Sequence, residues 1–204
     1  MKLHHIEFMC FESGTAHWDL KFKGWVSAGS PLKGYNPNLD ADFTFFVEWE
    51  SEQMDTFSPM GELSVGVFEI FPQDDVVSLS LLSYDDIPFN RHFARKISQL
   101  PASNALHLSY ISSALFLQEF DCGAPREGDD PSIPTYPALR YLDFSDHQLD
   151  IPGLTTLYNC LKKRSELGLG PEKLKINLHA LRNLDKQTTA LLEKVVEVVS
   201  RSSQ

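Results

Sequence analysis

The chain has 204 residues, 42% hydrophobic and 23% charged, with a formal net charge of −10. That suffices for one sizeable core and excludes a disordered or collagen-like polypeptide. The acidic balance argues against nucleic acid, whose binding needs clustered Lys and Arg, and no apolar run nears the roughly 20 residues of a spanning helix, so no membrane partner is expected. The opening MKLHHIEFMCFESG, broken by His4, His5, Glu7 and Glu12, does not read as a signal peptide. Cys10, Cys122 and Cys160 are far apart, and no Asn-x-Ser/Thr acceptor occurs. The sequence therefore places the chain in a reducing compartment, cytoplasmic or nuclear.

In chain order, residues 4–11 and 18–25 alternate apolar and polar side chains and predict two strands. A Gly, Pro, Ser and Asn rich stretch over 27–38 predicts a surface loop, and the aromatic, β-branched run 43–49 predicts a buried strand. Met60, Leu63, Val67 and Ile70 fall at helical spacing within 56–71, although Gly61 and Gly66 each weaken a helix by about 1 kcal/mol. Strands follow at 76–82, 104–109, 138–144 and 173–178. Between them come helices at 90–100, stopped by Pro101; at 112–120; and around Leu154, Leu157, Tyr158 and Leu161, closed by Gly168. Residues 121–137 read as a polar loop. Asp185 is a candidate N-cap for a last helix that gives way to a short strand over 195–199.

The recurrence matters more than any single element. Each of the four later strands carries a pair of alternating apolar residues: Leu79 and Leu81, Leu106 and Leu108, Leu142 and Phe144, Leu174 and Ile176. First members are 27, 36 and 32 residues apart, inside the window of stacked repeats. The reading is one α/β domain over 1–204: an irregular β-rich part (1–72), then strand-helix units (73–204) in an open stack with a mostly parallel sheet. The four strands should pair in parallel, in chain order. A bare edge would be the weak point of such a stack, so the two N-terminal strands are expected to fold over the first unit as a cap or to offer an interface.

The order of segments carries a resemblance. HFARKISQLPASNALHLS, YPALRYLDFSD, a helix ending in LKKRSE, EKLKI and a final EKVVEVV resemble the C-terminal, leucine-rich-repeat-like half of fungal F-box proteins, over about 74–199. The resemblance implies a leucine-rich-repeat fold and a protein-binding role, as in the substrate-recognition part of a ubiquitin-ligase receptor. The F-box, a helical motif opening near Leu-Pro, has no counterpart before the first strand here, since the first Leu-Pro is Leu100 and Pro101. Docking on the ligase adaptor is not expected.

Alternation assigns the outward strand positions to Ser78 and Ser80, His107 and Ser109, Tyr141 and Asp143, Lys175 and Asn177. We take Ser80, His107, Tyr141, Asp143, Lys175 and Asn177 as candidate binding residues for a protein or peptide, with Tyr141 as the best anchor. The alternative is a small, hydrolase-like α/β enzyme with its site near Asp143, Ser145, Asp146 and His147. Neighbours on one strand point to opposite faces, which does not suit a triad. No catalytic motif, cofactor loop or metal-ligand spacing is present, so no catalytic residue, cofactor or metal ligand is assigned. Lys162, Lys163 and Arg164 read as the basic end of a helix.

Overall fold

The structure, a computed structural model, describes residues 5–12, 17–26, 41–50, 58–83, 91–109, 113–120, 134–144, 151–176 and 190–200. Strands β1 (His5–Glu12), β2 (His17–Trp25) and β3 (Phe43–Glu50) are followed by helix α1 (Ser58–Glu69) and strand β4 (Ser78–Ser83). Next come α2 (Arg91–Ser98), β5 (Ala105–Ser109), α3 (Ser113–Phe120), β6 (Tyr141–Phe144), α4 (Ile151–Glu166), β7 (Lys173–Ile176) and β8 (Glu197–Ser200). They form an α/β fold with one eight-stranded sheet in the order β3-β2-β1-β4-β5-β6-β7-β8. The four leucine-pair strands run parallel and in chain order, as the sequence reading requires, and β8 joins them in parallel at the far edge.

The paired residues all reach one core. Leu79, Leu81, Leu106, Leu108, Leu142, Phe144, Leu174 and Ile176 are buried in a cluster with Ile6, Leu20 and Phe22 from the N-terminal strands. The same cluster takes in Val65 and Phe68 of α1, Phe93 and Ile97 of α2, Phe116 and Phe120 of α3, and Leu154, Leu157 and Leu161 of α4. Each helix thus buries one face on one side of the sheet, and consecutive helices touch. Among the described residues no helix is long and apolar enough to cross a membrane.

Three details differ from the sequence reading. The N-terminal strands do not fold over the first unit: β1 pairs in parallel with β4, and β2 and β3 continue the same sheet as an antiparallel meander. Helix α1 carries the chain back from the edge to β4. Along α1 the buried side holds Ser64, Val65, Val67 and Phe68, while Ile70 lies past the helix end, exposed. Aromatic packing decides this, because Phe68 meets Phe93 edge-on and Phe71 stacks on Phe22 at 4.5 Å. Finally β6 starts at Tyr141 rather than at 138, because the preceding segment is a turn in which Tyr136 adopts φ 46°.

That turn is held by a buried cation. Arg164 is fully buried in α4, not a solvated helix end, and donates to the carbonyls of Thr135 and Tyr136 at 2.8 Å and of Leu169 at 3.0 Å. Its guanidinium lies over the Phe120 ring, 4.5 Å from the centroid. The Tyr136 ring packs against Phe116 and Phe120, which offsets the cost of a left-handed backbone at a bulky residue. α4 ends as expected at Gly168, φ 71°, with Leu169 N–H bonded to Arg164 C=O and Gly168 N–H to Ser165 C=O, the paired bonds of a glycine-capped terminus. Asn177, Ser145, Asp146, His147, Asp185, the expected loop at 27–38 and residues 121–133 of the expected loop at 121–137 lie outside the described residues.

Candidate functional site

The face of the sheet away from the helices is polar, and strand register turns its residues into rows. Lys23, Glu7, Ser80, His107, Asp143 and Lys175 are successive cross-strand partners over six strands. The next row runs Trp25, His5, Ser78, Ala105, Tyr141, Lys173 and Glu197. Neighbouring strands lie about 4.8 Å apart, so groups in a row meet directly.

Asp143 is the hub. Its Oδ2 lies 2.9 Å from Lys175 Nζ and 3.2 Å from His107 Nδ1. Burial, then the Asp143 charge and a hydrogen bond to Asp143, push the Tyr141 hydroxyl up to about 12, so it stays a neutral donor. A carboxylate can only accept, so Nδ1 of His107 carries a proton, and in the neutral ring Nε2 is left to accept from Ser109 Oγ at 2.8 Å. The order Ser109, His107, Asp143 has the polarity of a nucleophile, base and orienting acid. Ser109 itself is only 1% exposed, so as folded the relay is better suited to locking Asp143 in place than to meeting a substrate.

The other end of the row is built on the meander. Glu7 is 0% exposed, and Lys23 Nζ approaches one of its oxygens to 2.8 Å without hydrogen-bond alignment. A buried carboxylate compensated, among the described residues, by one cation is a costly arrangement. Beside it His5 packs on Trp25, ring centroids 4.8 Å apart, and its Nδ1 lies 3.0 Å from Ser78 Oγ. Burial, reinforced by the neighbouring His107 charge, lowers His5 from 6.5 to about 4 and keeps it neutral near pH 7.

The structure thus gathers Ser80, His107, Tyr141, Asp143 and Lys175, five of the six residues singled out from sequence. The strip is more tightly packed than simple outward alternation implies: Ser80 is 1% and Asp143 4% exposed, because long neighbours in the rows close over short ones. Comparison with family models, with curated proteins and with solved structures gives no match. The function must therefore be argued from the face itself. His5, Glu7 and Lys23 were missed in the sequence because the irregular N-terminal part was read apart from the strand-helix units. The alternation of His5, Glu7 and Met9 along one strand was the available signal. Among the described residues no cluster of three or more His, Cys, Asp or Glu could hold a metal ion.

Proposed function

We propose that the polar sheet face is a protein-binding surface and the chain an interaction module of leucine-rich-repeat type, of the kind that recognises substrate in F-box ubiquitin-ligase receptors. The observation that carries this reading is the row from Lys23 to Lys175, a prearranged series of polar groups with a Lys–carboxylate pair at each end, on six neighbouring strands of one sheet. Such a face offers a partner fixed hydrogen-bonding groups at low ordering cost. Tyr141 and Lys175 are its half-open members and the natural anchors. A cytosolic or nuclear setting belongs to the same reading, with Cys160 as a buried thiol outside any disulfide.

The test is affinity purification of the tagged 204-residue chain with mass spectrometry, repeated with Tyr141→Ala/Lys175→Glu and with the helix-side variant Thr155→Ala. Partners that vanish with the first variant and persist with the second support the face. Identical partner lists for all three forms refute it. Co-purification of a cullin-ligase adaptor with this chain would overturn the expectation that adaptor docking needs an F-box.

A second reading is favoured by one observation, the Ser109–His107–Asp143 relay. In an α/β hydrolase Ser109 Oγ would attack an acyl carbon while its proton passes to His107 Nε2. A fluorophosphonate probe decides it: labelling of Ser109 that is lost in His107→Ala supports the enzyme, and an unlabelled protein excludes it.

A further inference from the structure

We propose that Glu7 is the receptor for an arginine side chain of the partner protein, and that Lys23 is the internal cation this arginine displaces. The inference deepens the reading of the polar face as a binding surface and rests on it. Glu7 is 0% exposed, yet among the described residues neither of its carboxylate oxygens accepts a hydrogen bond. Buried acceptors are ordinarily satisfied, as Asp143 on the same face is by Lys175 at 2.9 Å. Lys23 brings charge to Glu7 but no aligned bond: its Nζ lies 2.8 Å from Oε1, and its side chain, 19% exposed, is the member of the pair that reaches solvent. Trp25 repeats the pattern, 8% exposed with an Nε1–H that meets no acceptor among the described residues. Register sets Trp25 opposite His5 and so diagonal to Glu7, about 7 to 8 Å away, a span that long side chains bridge. Two unused acceptors and an unused donor therefore share one patch of the face.

Chemistry selects the occupant. Two unused oxygens on one carboxylate match the planar fork of a guanidinium, which donates two parallel N–H bonds, whereas an ammonium is a point charge of the kind Lys23 already supplies. Exchange of one cation for the other keeps the buried carboxylate compensated throughout. The ammonium is also the more strongly hydrated group, so Lys23 gains more on swinging into water than the incoming arginine gives up on leaving it. The Trp25 indole N–H can then donate to a carbonyl of the segment that carries the arginine. His5, packed on Trp25, adds no repelling charge near pH 7, since burial lowers it to about 4. At longer range the net charge of −10 draws a cationic partner in.

Short serine–glycine peptides with one central arginine, lysine or citrulline test it on the full chain. Binding is followed by NMR at the Trp25 indole N–H, identified by its loss in Trp25→Phe. We expect the arginine peptide to shift this resonance and to bind at least about tenfold more tightly than the lysine peptide or the neutral citrulline peptide. In Glu7→Gln, with its circular dichroism unchanged, the preference for arginine should vanish. Lys23→Met, freed of the competing cation, should bind the arginine peptide more tightly than the natural chain and be raised in Tm by it. No binding, equal binding of arginine and lysine, or an arginine preference that survives in Glu7→Gln would overturn the proposal. In the purification experiment, partners lost with Tyr141→Ala/Lys175→Glu but retained with Glu7→Gln overturn this proposal alone, whereas partners indifferent to both variants overturn the binding face with it.

Discussion

The two faces of one sheet are stabilised by opposite means. Along β6 Leu142 turns toward the helices and Asp143 away from them, and both are buried. The first is held by non-directional contact with many neighbours, the second by a few directional partners, Lys175, His107 and Tyr141. The contrast shows that burial alone does not distinguish core from site in a sheet of this kind; the chemistry of the buried partners does.

The strongest challenge to that contrast is Arg164, the cation on the apolar side. Arg164→Ala removes three hydrogen bonds, leaves the carbonyls of residues 135, 136 and 169 without that donor and opens a cavity. We expect a loss of about 3 to 5 kcal/mol in a urea titration, and a loss below about 1 would mean that the turn does not depend on it. Leu142→Ala should cost about 2 to 5 kcal/mol, the ordinary range for a leucine in a packed core.

On the polar side the effects should be smaller and should depend on pH. The unfolded chain takes up a proton at His5 near 6.5, the folded one near 4, so this stabilising difference is full above 6.5 and is lost as the pH falls toward 4. The loss is on the order of 3 kcal/mol and should shrink in His5→Gln, so parallel pH profiles for the two proteins would remove His5 as the cause. Asp143→Ala should cost about 1 to 3 kcal/mol, more than a surface aspartate, because its cationic neighbours lose their acceptor. Glu7→Gln tests the other end of the row: a change within about 1 kcal/mol is expected, against a larger loss for Lys23→Met, which strands the buried carboxylate.

Much of the helix side was legible in the sequence, because alternation and helical spacing are local signals. The leucine pairs, their order and the glycine cap at Gly168 are all written within a few residues. Arg164 was legible too, since it continues the stripe of Leu154, Leu157 and Leu161 at the same 3 and 4 residue steps, but its charge suggested solvent. The polar row was legible only one strand at a time. His107 meets Asp143 through the register of β5 on β6, and Glu7 meets Lys23 through that of β1 on β2, and neither register is written within a single strand. Ile70 shows the converse, a residue at helical spacing that the end of its helix leaves outside.

The placement of β1 also bears on how the molecule assembles. His5 meets Ser78 across 73 residues of chain, whereas the meander pairs residues that follow closely. The meander is the cheaper structure to close, and contacts of long sequence separation slow folding. Once β1 is in place it serves as the template for β4, and β4, β5, β6 and β7 serve in turn for the strand that follows. Synthesis from the N-terminus delivers the strands of the parallel half in the order in which their templates become available, so no pairing in that half has to wait for a later one.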